Sequence, residues 1–148
     1  RWCALEQALL FAAARLNHLN HTIRPALGRG AWVICDRYVD STRAYQVGAG
    51  GLAGDVLDRV NALIGAETPD LTFVLDLEPA LGLARSRGVD AGEDRFEKKG
   101  AEFHNRVRAE FLAIAAREPS RCVVLDASAR AEDVLARALA ALETKLGG

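Results

Sequence analysis

The sequence contains no methionine, and only three lysines, Lys98, Lys99 and Lys145, stand against 16 arginines. With no initiator residue and helical sequence starting almost at Arg1, the chain reads as a piece of a longer product, or as one whose start is lost. Scarce lysine also limits phosphate-loop motifs. No G-x-x-x-x-G-K followed by Ser or Thr occurs, because none of the lysines follows a suitable glycine. Cys3, Cys35 and Cys122 are too few and too scattered for a disulfide framework or a CxxC metal site. Reduced thiols in a cytoplasmic protein are the expectation. No apolar run approaches the ~18 residues needed to span a bilayer, and the N-terminus does not read as a signal peptide. GxSxG, HExxH and paired CxxC motifs are missing as well, which removes the common hydrolase and zinc classes. Charge of one sign is not in excess: 19 basic and 20 acidic residues leave -1. That balance argues against a nucleic-acid binder and against a polybasic membrane protein.

What is present is apolar content in quantity, 50% of 148 residues, enough for one compact domain spanning 1–148. Helix and strand signals alternate. Leu5 to Leu27 is apolar at helical spacing and stops at Gly28 and Gly30, with Pro25 predicting a kink or an earlier end. Ala31 to Cys35, Leu71 to Leu75 and Arg121 to Leu125 are short apolar runs that read as strands buried on both faces. Cys35 and Cys122 then become small core residues. Ser41 to Gln46 reads as a helical turn. Helices are predicted over Leu52 to Ile64, Pro79 to Arg87, Glu102 to Arg117 and Glu132 to Leu146, with a loop at 88–94. Strands separated by helices predict an α/β fold with a three-layer, doubly wound parallel sheet. Ligands bind such sheets at the carboxyl ends of the strands, here Asp36, Asp76 and Asp126 with the residues that follow.

The densest polar stretch, Asp36 to Gln46, gathers two arginines, two aspartates, two tyrosines, two hydroxyls and a glutamine. Guanidinium groups bind phosphate through paired, charge-assisted hydrogen bonds. The same residues equally suit a strand-end ion pair with a capped turn. Phe11 and Arg15 are four apart on one helix face, where a ring beside a guanidinium can sandwich a base. In isolation, a core phenylalanine with a surface arginine is the commoner arrangement. From Arg85 to Arg108 the chain mixes seven basic with five acidic residues, either a solvated surface or an arginine-bearing lid over polyphosphate. Gly48 to Gly54 follows no strand and reads as a flexible connection rather than a dinucleotide loop. His18 and His21 lack a third ligand partner and read as solvent-facing.

Taken together, these residues resemble the thymidylate kinase family of P-loop nucleoside monophosphate kinases. The resemblance covers essentially the whole chain. It rests on Leu10-Phe11 with Arg15, on Ile23 to Leu27, and on Gly30 to Tyr38 with Ser41, Thr42, Ala44, Tyr45 and Gln46. Further matches are Pro69 to Leu71, Leu75-Asp76, Asp94 to Glu97, Phe103 to Arg106 and Asp126 to Ser128.

The resemblance implies phosphoryl transfer from ATP to dTMP, with Mg2+ and with no resident metal site. Alternatives are a kinase for another nucleoside or deoxynucleoside monophosphate, and a non-catalytic nucleotide-binding or dimerisation domain. The implied roles are as follows. Phe11 stacks on thymine and Arg15 donates to it; Ser41 and Thr42 occupy base-reading positions; Tyr45 crowds the sugar 2′ position. Arg37 bridges acceptor and donor phosphates, with Asp36 beside it near magnesium. Asp94, Phe96 and Glu97 make sugar-side and lid contacts. Arg87 and Arg95 are lid arginines, in a lid of about 86–100, and Ala127, Ser128 and Ala129 lie beside the adenine. It also implies a homodimer, and a fold of P-loop type from which the first strands and the Walker A segment are absent. On that expectation 1–148 is the acceptor-binding and lid portion of the fold and does not turn over alone.

Overall fold

A computed structural model describes residues 2–86 and 94–147, with 83–86 and 94–99 described by backbone alone. The chain divides into two compact units, Arg1–Thr68 and Pro69–Gly148.

In the first unit, α1 (Ala4–His18) starts where the Glu6 carboxylate accepts the Cys3 backbone N–H at 2.6 Å, satisfying a donor that the helix leaves open. Its buried face is built from small residues, Ala8 and Ala12, followed by Leu19 and Ile23. The helix neither ends nor breaks before Pro25. It widens instead into a π-helical stretch, Leu19–Ile23, in which the Arg24 N–H donates to the Leu19 carbonyl, and then continues as α2 (Arg24–Gly28). Proline cannot donate to the preceding turn and its ring crowds that turn's carbonyl, so the backbone accommodates an extra residue there. Arg24 closes this end of the unit, donating to Asn20 Oδ1 at 2.6 Å, the Gly65 carbonyl at 2.7 Å and Glu67 Oε1 at 2.9 Å.

Residues 31–35 form no strand, contrary to the expectation from their apolar run. Trp32 is 67% exposed and Ile34 98% exposed, and Cys35 is exposed rather than a core residue. An apolar run becomes a buried strand only where neighbours pair both its edges, and among the described residues it has no such neighbour. The chain re-enters helix at α3 (Val39–Thr42), which runs into a second π-helical stretch, Arg43–Ala49, burying Thr42, Ala44 and Gln46. It then reverses at Gly50, where a Cβ would sit 2.7 Å from the Gln46 carbonyl oxygen, so only glycine fits. Next, α4 (Gly54–Leu63) is tied back by an Arg43–Asp58 ion pair.

The second unit carries the sheet. Strand β1 (Thr72–Asp76) pairs in parallel with β2 (Cys122–Asp126), from Thr72 opposite Cys122 to Asp76 opposite Asp126. Parallel pairing requires a long crossover, supplied by α5 (Pro79–Ser86) and α6 (Asp94–Arg117); α7 (Ala131–Leu146) closes the chain. Val74 and Cys122 pack with Ile114 and Ala115 of α6, with Phe111 against them. Burial is not on both faces as expected: Phe73 is 36% and Leu75 61% exposed. The α/β class and the parallel sheet stand, but among the described residues the sheet has two strands, not three. No helix among the described residues is long and apolar enough to cross a membrane.

Candidate functional site

Within the first unit, two rows of side chains spaced four apart meet. Gln7, Phe11 and Arg15 share a face of α1, and Tyr38, Thr42 and Gln46 step along the segment after the exposed 31–35 run. At one end, Arg15 Nη2 donates to Thr42 Oγ1 at 2.9 Å, and its guanidinium carbon lies 5.2 Å from the Tyr38 ring centroid. At the other, Gln46 Nε2 donates to Gln7 Oε1 at 3.0 Å. Small buried residues, Ala8, Ala12 and Ala44, permit this close approach.

Three buried polar atoms of this cluster are left over: Arg15 Nη1, Tyr38 Oη and Gln46 Oε1 have no hydrogen-bond partner among the described residues. Buried polar groups are normally satisfied, so each has capacity for one more hydrogen bond. Burial lowers the Arg15 pKa, opposed by the neighbouring Tyr38 and Cys35, and pushes that of Tyr38 up, opposed by Arg15. A guanidinium stays charged through such a change. Phe11 lies between the two ends on the same helix face and is 49% exposed. The commoner arrangement, core ring and surface arginine, is thus inverted. An exposed ring beside a half-buried cation with a vacant donor is the makings of a base-binding platform.

The phosphate-suited part follows in sequence. Arg37 has φ +65°, the left-handed region that non-glycine residues rarely adopt. Its Nε donates to Ser41 Oγ at 3.4 Å, and its guanidinium carbon stands 4.6 Å from the Tyr45 ring centroid. Asp36 is exposed and makes no ion pair with Arg37 among the described residues, so the strand-end pair is not formed; nor is there a strand for Asp36 to end. Of the expected site residues, Arg15 and Thr42 are joined by a hydrogen bond with Phe11 on the same face of α1, and Arg37, Ser41 and Tyr45 form another group. Gln7 is not among the expected residues, and Tyr38 and Gln46 stand among them only as members of the dense polar stretch, without a role. The four-residue spacing of Tyr38, Thr42 and Gln46 is the signal that marks them.

In the second unit, Asp76 and Asp126 end neighbouring strands in register. Arg108 grips Asp76 through two hydrogen bonds, Nε to Oδ1 at 2.7 Å and Nη2 to Oδ2 at 2.9 Å. Asp126 Oδ1 accepts both the Ser128 N–H at 2.9 Å and the Ser128 hydroxyl at 2.5 Å, and these bonds lower its pKa. The Ala127 N–H donates to the Asp76 carbonyl at 2.8 Å, with Ala129 partly buried nearby in sequence. Asp94, Arg95, Phe96 and Glu97 fall in the first turns of α6, and Arg87 lies outside the described residues. Among the described residues no group of three His, Cys, Asp or Glu side chains is placed to hold a metal.

The Asp76 pKa lies below its ordinary 3.8, chiefly through the Arg108 hydrogen bond, with burial and Asp126 opposing. A depressed folded-state pKa contributes stability that is present above the unfolded value and is lost as pH falls through the folded one. Denaturant unfolding from pH 7 to pH 2 should therefore show stability falling below about pH 4, and Arg108→Met should reduce that slope. An unchanged acid limb in Arg108→Met would show that the pair contributes nothing to acid stability.

A profile of the family described as Thymidylate kinase matches residues 4–138. The chain is 48% identical over 129 residues to the thymidylate kinase of Jannaschia sp. (strain CCS1), covering 87% of this chain and 62% of the relative. It is 47% identical over 149 residues to that of Caulobacter vibrioides, covering 99% of this chain and 71% of the relative. The crystal structure of thymidylate kinase from Ehrlichia chaffeensis is similar with a TM-score of 0.75 at 29% identity, over 95% of this chain and 67% of that one. The chain spans 62% of the length of the relatives from Jannaschia and Rhodopseudomonas palustris. The expectation for the N-terminal part is corrected to what the alignments show: the family match runs from residue 4, so α1 and the region before the sheet are themselves aligned family sequence.

Proposed function

The chain belongs to the thymidylate kinase family, and from that premise we propose that the protein transfers a phosphoryl group from ATP to dTMP, giving dTDP. The observation that carries this reading is the vacant, buried Arg15 Nη1 beside the exposed Phe11 ring. A pyrimidine stacked on Phe11 presents its O4 acceptor to that nitrogen, while Thr42 holds the guanidinium from the other side.

The acceptor phosphate is then the nucleophile. It is already anionic at neutral pH, so no general base is required, and catalysis is positioning plus charge stabilisation. Arg37 bridges acceptor and donor phosphates through its planar fork. Mg2+ keeps most of its waters and needs only one or two carboxylates besides phosphate oxygens. Asp36, exposed and without an ion pair among the described residues, fits that demand, and the ion supplies charge neutralisation when bound. Tyr45 limits room at the sugar 2′ position, and Ser41 orients Arg37. Asp94, Phe96, Glu97, Arg87 and Arg95 are assigned to sugar-side and lid contacts, and Ala127, Ser128 and Ala129 to the adenine. The doubly wound P-loop arrangement is the fold this reading assumes. A homodimer fits the exposed Leu5 and Leu9 of α1, and nucleotide substrates fit a cytoplasmic site of action.

The test is ADP release by the intact protein with ATP, Mg2+ and each of dTMP, dUMP and dCMP. Turnover should be highest with dTMP and lowest with dCMP, whose amino group meets a donor where thymine offers an acceptor. A missing methyl is rejected by only about 1–3 kcal/mol, so dUMP should fall between. Preference for dCMP would sink the assignment of Arg15 to O4.

A further inference from the structure

We infer that Tyr45 is a positioning residue for phosphoryl transfer: its ring is the platform that holds the Arg37 guanidinium in place. The inference rests on the proposed role of Arg37 and adds to Tyr45 a task other than crowding the sugar. Three observations converge. The Arg37 guanidinium carbon is 4.6 Å from the Tyr45 ring centroid, within the range of a cation–π contact. Arg37 Nε reaches Ser41 Oγ, so the group is fixed along one edge as well as from one face. And the Arg37 backbone has φ +65°, a conformation that costs energy and persists only where the surroundings over-determine it.

The chemistry of the contact decides what it is for. A guanidinium has five N–H donors, all in its plane, and a ring against its face consumes none of them. Stacking on Tyr45 therefore restrains the rotation of a long, exposed side chain while leaving the remaining fork open to phosphate oxygens. A carboxylate partner restrains equally well but occupies the fork, and no such partner is present for Arg37 among the described residues. The face-on contact is what a phosphate-binding arginine needs before its ligand arrives.

The test uses the intact protein and five forms: wild type, Tyr45→Phe, Tyr45→Leu, Arg37→Lys and the Arg37→Lys/Tyr45→Leu double variant. Each is measured for kcat, KM for dTMP and melting temperature. Tyr45→Phe keeps the ring and should keep kcat within about twofold, whereas Tyr45→Leu should lose about fivefold in kcat with KM nearly unchanged. In the Arg37→Lys background the leucine should add little, because the two residues act through one contact. The inference is overturned if Tyr45→Leu retains kcat, if its loss is undiminished in the Arg37→Lys background, or if Tyr45→Phe is as slow as Tyr45→Leu. If Arg37→Lys lowers kcat while Tyr45→Leu does not, the platform fails and the reading of Arg37 survives. An unaltered kcat in Arg37→Lys sinks both.

Discussion

Arg37→Lys in the intact protein is expected to lose at least tenfold in kcat, about 1.4 kcal/mol of transition-state stabilisation. The substitution keeps the charge and removes the geometry. A planar fork engages oxygens of two phosphates at once, whereas an ammonium is a compact point charge. The loss should appear in kcat more than in KM, because the bridge between acceptor and donor matters most as the phosphoryl group moves. Stability should barely change. Arg37 is exposed and makes one long hydrogen bond to Ser41 and one ring contact, neither of which supports the core. Steady-state kinetics beside thermal unfolding of the same variant checks both halves. A large fall in melting temperature with kcat intact would make Arg37 a structural residue.

Phe11→Ala should weaken dTMP binding by about 1–3 kcal/mol, the usual worth of base–aromatic stacking, and leave ATP affinity close to wild type. Phe11 is 49% exposed, so removal of its ring opens no large core cavity. That separates this substitution from truncation of the fully buried Leu19 or Leu57, where a binding loss and a folding loss arrive together. Titration calorimetry with dTMP and with ATP distinguishes the outcomes. Unaltered dTMP affinity would remove Phe11 from the site.

How far the residues alone led is clearest in the second unit. Pro79 opening α5, the apolar runs that became β1 and β2, and the periodicity of α7 were all legible, because each is set by local pattern and local pairing. The run at 31–35 is at least as apolar and is not a strand, since strand formation depends on neighbours that a single stretch does not encode. The π-helical stretches were equally hidden. Pro25 marks a disturbance, but whether a helix breaks, kinks or widens depends on what packs against it.

In the candidate site, spacing placed Phe11 and Arg15 on one face but assigned their burial the wrong way round. Arg15 is drawn inward by Thr42 and Tyr38, partners 27 and 23 residues away in sequence, and Phe11 is left outside. Residue type alone makes Arg37 the proposed phosphate ligand. Its left-handed backbone and its seat on Tyr45 were not legible, because neither follows from composition.

The central claim is that a thymine lies on Phe11 with its O4 on the vacant nitrogen of Arg15. A crystal structure of the intact protein with dTMP bound tests it most directly. The account predicts the base stacked on the Phe11 ring, Arg15 Nη1 about 3 Å from O4, Nη2 still on Thr42, and the phosphate within reach of Arg37. Density for dTMP elsewhere, with Arg15 Nη1 still unpartnered and the Phe11 ring bare, would contradict it.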